Sequence, residues 1–237
     1  MNYAVLFAGG IGSRMTNSKI PKQFIEVDGK PILIHTIFAF ENSSVIDGIS
    51  VICLESWISK LKDYIDFFKI KKVKWIVPGA GTGQQSIYNG LKAIFDQSQD
   101  PSKDVVLIND GVRPFVTEKL INDCIDTVWS KGSVVTICPV PETIVKVPDL
   151  IDGKIQDIPD RSKWFLSKAP QGFILNEIIE AHHKAMAEGR FDCTNSAELM
   201  KRYGHRLYTV MDTPNNIKIT TPIDVHLMRV VIEEGLY

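Results

Sequence analysis

AVLFAGGIGSRM, residues 4–15, with PKQF at 21–24, is the stretch on which the fold is read. Tyr3–Ala8 is a continuous apolar run that stops at a glycine, the pattern of a strand buried on both faces of a parallel sheet. Gly9, Gly10 and Gly12 let the backbone bend with positive φ and turn its N–H groups inward without a Cβ in the way. A row of inward amides suits a polyphosphate. Arg14 and Lys22 add a fixed fork and a point charge, which can hold phosphate oxygens and neutralise charge developing at an α-phosphate. A glycine pair after a strand does not by itself make a ligand site, and both cations also read as solvated surface groups. The spacing is neither GxGxxG nor GxxxxGK[ST], so it supports neither a dinucleotide-binding loop nor a P-loop.

Working outward, β-branched apolar runs alternate with amphipathic stretches. Strands are predicted at Tyr3–Ala8, Ile49–Leu54, Val73–Val77, Val105–Asn109 and Val134–Pro139. Helices are predicted at Pro31–Phe40, Trp57–Phe68, Gln84–Phe95 and Glu118–Lys131. This alternation favours a Rossmann-like α/β fold, a mostly parallel sheet with helices on both faces and right-handed crossovers. From Val140 to Phe173 the rhythm changes. Several prolines and short strand-like pieces surround an Asp152-Gly153 turn, which reads as a β-hairpin arm at about 140–165 leaving the sheet. A lone hairpin is marginally stable, so it points to a partner surface and a dimer. Helices at Leu175–Glu188 and Ser196–Tyr203, a strand at Arg206–Val210 and a helix from about Ile223 complete a single domain over 1–237.

At 237 residues and 44% hydrophobic composition, the chain can bury a substantial core. Its net charge of −1 lacks the basic balance of a general nucleic-acid binder, so any anion site must be built from a few placed cations. Cys53, Cys124, Cys138 and Cys193 are widely spaced without a CxxC, as expected of core thiols in a reducing compartment. No segment reaches the roughly 18 apolar residues of a membrane span, and the N-terminus lacks a secretory pattern. A cytoplasmic protein with no membrane partner is expected.

The ordered set AGGIGSRM, PKQF, GAGTGQQSIYNGL, NDGVRPF, PETI, IPDRSKWFLSKAPQGF and NNIKITTPIDV resembles the cytidylyltransferase family. One branch of that family makes CDP-methylerythritol for isoprenoid synthesis, and another makes CDP-ribitol for teichoic acids and capsules. The resemblance covers nearly the whole chain. It implies a Rossmann-like sheet, a homodimer joined through the β-arm, CTP and a polyol phosphate as substrates, and Mg²⁺ as cofactor.

By the same resemblance, Ala8, Gly9, Gly10, Gly12 and Gly79 belong to the nucleotide site, and Arg14, Lys22 and Lys218 are the catalytic cations. Asp110 matches the aspartate that holds Mg²⁺ beside the nucleotide. Ser86 matches the serine near the cytosine. Arg113, Thr143 and Arg161 match positions that hold the acceptor, the last two from the neighbouring subunit. Read without the family, Asp110 is equally a turn aspartate, Lys218 a strand-edge lysine and Ser86 a helix-start residue satisfying backbone donors.

Four positions depart from the family pattern. Gly83 stands where the base-binding turn usually has arginine, and Asn109 where histidine usually precedes the aspartate. Ala169 replaces the threonine of TPQ, and Thr194-Asn195-Ser196-Ala197 replaces an acidic turn. Triphosphate and metal residues persist while base- and acceptor-side ones drift, which implies retained chemistry with an altered acceptor. Ribitol 5-phosphate is the expected acceptor, with 2-C-methyl-D-erythritol 4-phosphate as the alternative. A catalytically silent nucleotide-binding homologue and an NAD-binding Rossmann domain are the readings from other classes.

Overall fold

The computed structural model describes residues 1–10 and 20–236. Its strands are β1 (Asn2–Ala8), β2 (Glu26–Val27), β3 (Lys30–Pro31), β4 (Gly48–Cys53), β5 (Val73–Pro78), β6 (Val105–Asp110), β7 (Val134–Pro139), β8 (Phe165–Ile174) and β9 (Tyr208–Met211). Its helices are α1 (Ile32–Glu41), α2 (Ile58–Phe67), α3 (Gly83–Phe95), α4 (Glu118–Lys131), α5 (Leu175–Ala187), α6 (Ser196–Arg202) and α7 (Pro222–Glu233). Seven strands form one sheet in the order β5-β4-β1-β6-β8-β7-β9.

Period-two alternation explains the three layers. Along β1, Ala4, Leu6 and Ala8 face a core shared with α1, α2 and α4. Tyr3 and Val5 face the opposite core, shared with α3, α5 and α6. In β6, Val105 and Leu107 join the first core, and Val106 and Ile108 the second. Helix starts are set locally: Thr82 accepts from the Gln85 amide, Thr117 from Leu120 and Asn195 from Glu198. The expected mostly parallel sheet with helices on both faces is the observed architecture.

β8 is the finding the sequence pattern hid. It inserts antiparallel between β6 and β7, pairing Ile108 with Gln171 on one side and Pro139 with Phe165 on the other. The change of rhythm after Val140 therefore includes a central strand, and only 140–164 leaves the body as an arm. Pro170 in mid-strand, with Ser167, Lys168 and Gln171 around it, breaks the apolar run that marks the other strands. The arm itself is loosely paired: Lys146 and Asp157 form an isolated bridge, and Gly153 turns at φ +66. A short hairpin also went unread, β2–β3, turning at Asp28 (φ 49) and Gly29 (φ 69). Against it packs a third apolar cluster that includes Val112, Phe115, Ile219, Val225 and Met228, joining α7 to the loop after β6.

Candidate active site

The site lies at the carboxyl ends of β1 and β6, where open parallel sheets gather ligands. The ladder sets Phe7 beside Asp110, so Ala8, Gly9 and Gly10 leave the sheet next to that carboxylate. Gly111 follows and donates its amide to the Phe7 carbonyl at 2.8 Å. A Cβ at Gly111 would come within 2.8 Å of the Ala8 Cβ, so this turn needs glycine to pass under the loop. Gly12 and Arg14 lie outside the described residues. Lys22 opens the 3-10 turn Lys22–Phe24 that returns from the loop. Within that turn the buried Gln23 donates to the carbonyls of Ala8 (2.7 Å) and Gly10 (3.3 Å), tying the start of the glycine loop in place.

Gly79 ends the strand two places away and meets Gly9 across the rim: a Cβ on Gly9 would stand 3.4 Å from the Gly79 Cα. The next turn is held from within. The buried Ser86 hydroxyl accepts from the Ala80 amide at 2.8 Å and donates to the Thr82 carbonyl at 2.8 Å. Ser86 thus shapes the 79–83 turn.

Asp110 is where separate segments converge. One carboxylate oxygen accepts from Lys218 Nζ at 2.6 Å and the other from Arg113 Nε at 2.8 Å. Burial pushes the Asp110 carboxyl upward, but the Lys218 ammonium and then the Arg113 guanidinium outweigh it and hold the group below the ordinary carboxylate range. Lys218 reaches it because the next residue, the buried Ile219, donates its amide to the Val112 carbonyl at 2.9 Å and sits in the third apolar cluster. Arg113 Nη1 donates in turn to the Asn216 carbonyl at 2.9 Å.

These groups line a cavity of about 290 Å³ that also takes in Phe7, Gln84, Lys168, Gln171 and the 193–196 turn. Asp110 there meets the cations Arg113 and Lys218, and Lys168 lines the same cavity with its ammonium on the carbonyls of 213, 214 and 216. An anionic ligand carrying phosphates suits that balance. Among the described residues no group of three or more His, Cys, Asp or Glu could cage a metal. The donor set nonetheless fits Mg²⁺, which takes one or two carboxylates and completes its shell with phosphate oxygens and water. Asp110 stays ionised, and each of its oxygens keeps a lone pair beyond the one given to its cation.

A family model described as IspD, 2-C-methyl-D-erythritol 4-phosphate cytidylyltransferase, matches residues 2–234. The chain belongs to this family. A ribitol-5-phosphate cytidylyltransferase of Vibrio parahaemolyticus is 43% identical, covering 98% of this chain and 96% of its own. A 2-C-methyl-D-erythritol 4-phosphate cytidylyltransferase of Clostridium botulinum is 39% identical, covering 98% of each. Among solved structures, a 4-diphosphocytidyl-2C-methyl-D-erythritol synthase of Anaerococcus prevotii superposes with a TM-score of 0.83 at 27% identity, over 98% of this chain and 96% of the other. The protein is a CTP-dependent nucleotidyltransferase. Among the described residues no helix is long and apolar enough to cross a membrane.

Within this cytidylyltransferase, Asp110, Arg113 and Lys218 line one cavity, while Ala8, Gly9, Gly10 and Gly79 lie on the adjoining rim, outside its lining. Thr143 and Arg161 stay on the exposed arm, outside the cavity lining, with Arg161 Nη1 on the Pro141 carbonyl at 3.0 Å. The departures from the family pattern have structural counterparts. Asn109 donates to the Asp110 carbonyl at 3.0 Å, and Asn195 caps α6. Gln171, in the strand the sequence hid, accepts from the Ala197 amide at 3.0 Å. Gln84 fastens the 190–193 turn, donating to the Arg190 carbonyl (3.1 Å) and accepting from the Cys193 amide (3.1 Å). Gln23, Gln84, Lys168 and Asn216 were not read from the sequence. The QQ that follows the second glycine turn and the NN before Lys218 were visible, but their partners are remote in the chain.

Proposed function

We propose that the enzyme transfers CMP from CTP to D-ribitol 5-phosphate, giving CDP-ribitol for teichoic acid or capsule, and pyrophosphate. The observation that carries the chemistry is the convergence of Lys218, Arg113 and Asp110 beside the start of the glycine loop. The acceptor rests on the relatives: four named for ribitol 5-phosphate stand at 42–43% identity, above two named for the methylerythritol acceptor at 37–39%, while two more ribitol-named relatives stand at 33–34%.

In this reading a phosphate oxygen of the acceptor attacks the α-phosphorus of CTP, and the bond to the pyrophosphate oxygen breaks. The chain contributes position and positive charge, with no covalent step of its own. Amides of 8–10 and the 79–83 turn hold the nucleotide. Lys218, with Arg14 and Lys22, offsets charge building on the α-phosphate and leaving group. Arg113 faces the acceptor phosphate. Asp110 would hold Mg²⁺, and the ion would supply charge neutralisation to the triphosphate. Thr143 and Arg161 reach the acceptor from the second subunit of a homodimer joined through the arm. The unpaired thiols of the four buried cysteines and the nucleotide substrate support a cytoplasmic place of action.

Pyrophosphate release is the direct test, with CTP or UTP offered against D-ribitol 5-phosphate and 2-C-methyl-D-erythritol 4-phosphate, with and without Mg²⁺. Turnover is expected with CTP and ribitol 5-phosphate. Preference for the methylerythritol acceptor overturns the acceptor assignment alone, and no release with either acceptor overturns the reading.

A further inference from the structure

Lys168 stands in β8 where the surrounding strand is otherwise neutral, half-buried and lining the cavity, and none of the roles above uses it. Its ammonium donates to three backbone carbonyls: Thr213 at 3.0 Å, Asn216 at 3.1 Å and Pro214 at 3.3 Å. A lysine has three N–H donors, so none remains for a substrate. This cation therefore acts on the protein.

What it grips is the turn that carries Lys218. The Asn216 carbonyl takes Lys168 on one side and Arg113 Nη1 on the other, filling both lone pairs. The buried Asn216 side chain returns to β8, donating to the Ala169 carbonyl at 2.7 Å, and also to Asp212 at 2.8 Å. Two residues on, Lys218 meets Asp110, which also holds Arg113. Lys168, the 213–216 turn, Lys218, Asp110 and Arg113 thus form a closed circuit. Residues 213–216 have no strand or helix to fix them, so the circuit does.

We propose that Lys168 is a positioning residue for the transfer step: by gathering the carbonyls of 213, 214 and 216 it sets Lys218 and Arg113 in register with Asp110. This rests on the proposed role of Lys218 at the α-phosphate.

Lys168→Met keeps the length of the side chain and removes the charge and donors. A misplacement of about 1 Å can lower turnover about a hundred-fold, so kcat is expected to fall about ten- to hundred-fold, with KM for CTP within about twofold of the parent. Lys168→Arg, still a cation with several donors, is expected to recover at least about a third of parental turnover. If Lys168 works through Lys218, the same Met substitution in a Lys218→Ala background lowers the residual rate by less than about threefold. Amide exchange of a peptide spanning 212–219, read by mass spectrometry, is expected to quicken in Lys168→Met and not in Lys168→Arg, whatever the acceptor.

The inference is overturned if Lys168→Met turns over like the parent, or if its full loss recurs in the Lys218→Ala background. Unchanged exchange at 212–219 also overturns it, independently of activity. An inactive parent sinks the functional reading and leaves the exchange experiment to decide this one. Should Lys168→Met not fold, Lys168→Gln, which keeps amide donors near the turn, goes through the same cycle.

Discussion

In the layered body Val5, Leu6, Ile49 and Ile52 are wholly shut off from water, whereas in the arm Leu150 is 88% and Ile151 98% exposed. Both regions spend β-branched and aliphatic side chains, but only the body has helices on both sides to receive them. In the arm the named pairing is a single bridge, with Val145, Ile155, Ile158 and Trp164 also open. Fully burying a Leu or Ile is worth about 1.5–3 kcal/mol. The body gains that within one chain. The arm's apolar residues gain it only against another surface, which accords with the proposed dimer. The functional groups divide the same way: Asp110, Arg113 and Lys218 assemble on the rim of the body, while Thr143 and Arg161 sit on the arm.

The largest effect expected is on the rim. Asp110→Asn removes the charge that two cations share. Electrostatic groups of this kind contribute about 10²–10³ in rate, so pyrophosphate release is expected to fall by that factor while the far-ultraviolet circular dichroism stays unchanged. Parental turnover would remove the carboxylate from the chemistry and leave the rim no special status over the arm.

Next is the buried side of the cavity, which His182 helps to line. His182 is 2% exposed, and burial, with a smaller contribution from His183, lowers its pKa from 6.5 to about 4. A base whose folded pKa is lowered binds its proton in the unfolded chain first. Stability is therefore complete above pH 6.5 and declines as pH falls toward about 4. A shift of that size corresponds to about 3 kcal/mol. Urea unfolding of the parent at pH 7 and pH 4.5 should show the loss, and His182→Leu should flatten the difference between the two. A parent with equal stability at both values would mean that burial does not hold His182 neutral in the folded chain.

Glycines sharpen the contrast further. A Cβ at Gly172 in β8 would lie 2.8 Å from side chains of Val128 and Val134, so Gly172→Ala is expected to destabilise by about 1–3 kcal/mol through overpacking. At Gly153 in the arm nothing lies within 4 Å and only φ +66 resists a side chain. Gly153→Ala is expected to cost about 1 kcal/mol, from backbone strain at positive φ and not from packing. Chemical denaturation of both variants compares them directly.

The smallest effect on chain stability comes with a large one on assembly. The double variant Leu150→Ser, Ile151→Ser is expected to unfold within about 0.5 kcal/mol of the parent, since both side chains are already exposed. If the arm joins two subunits, light scattering should show its mass dropping from dimer to monomer. A dimer that survives places the contact elsewhere.

The parallel half of the sheet was legible because β1, β4 and β6 are buried on both faces and so must be short, nearly unbroken apolar runs, while the edge strand β5 stays half-buried around Lys74. β8 was not legible: Pro170, Ser167, Lys168 and Gln171 make it look like a loop, and its place depends on strands already laid down on either side. The glycine turns and Lys218 were readable as types, since amide-lined bends and cations are what phosphates require. Ser86 shows the opposite limit: its position was readable, yet its hydroxyl proves to be engaged with the turn that carries it.

By itself, the order of residues determined the layered α/β body, the glycine loop at the end of the first strand and the family of reactions, because those rest on local periodicity and on motifs a few residues long. Only the tertiary structure decided that Arg113 and Asn216, 103 positions apart, share a hydrogen bond, and that Lys168, Lys218 and Asp110 belong to one circuit. Such meetings follow from how a strand inserts and where an apolar cluster pins a loop. Charge and hydrogen bonding act through distance in space, which spacing along the chain does not encode.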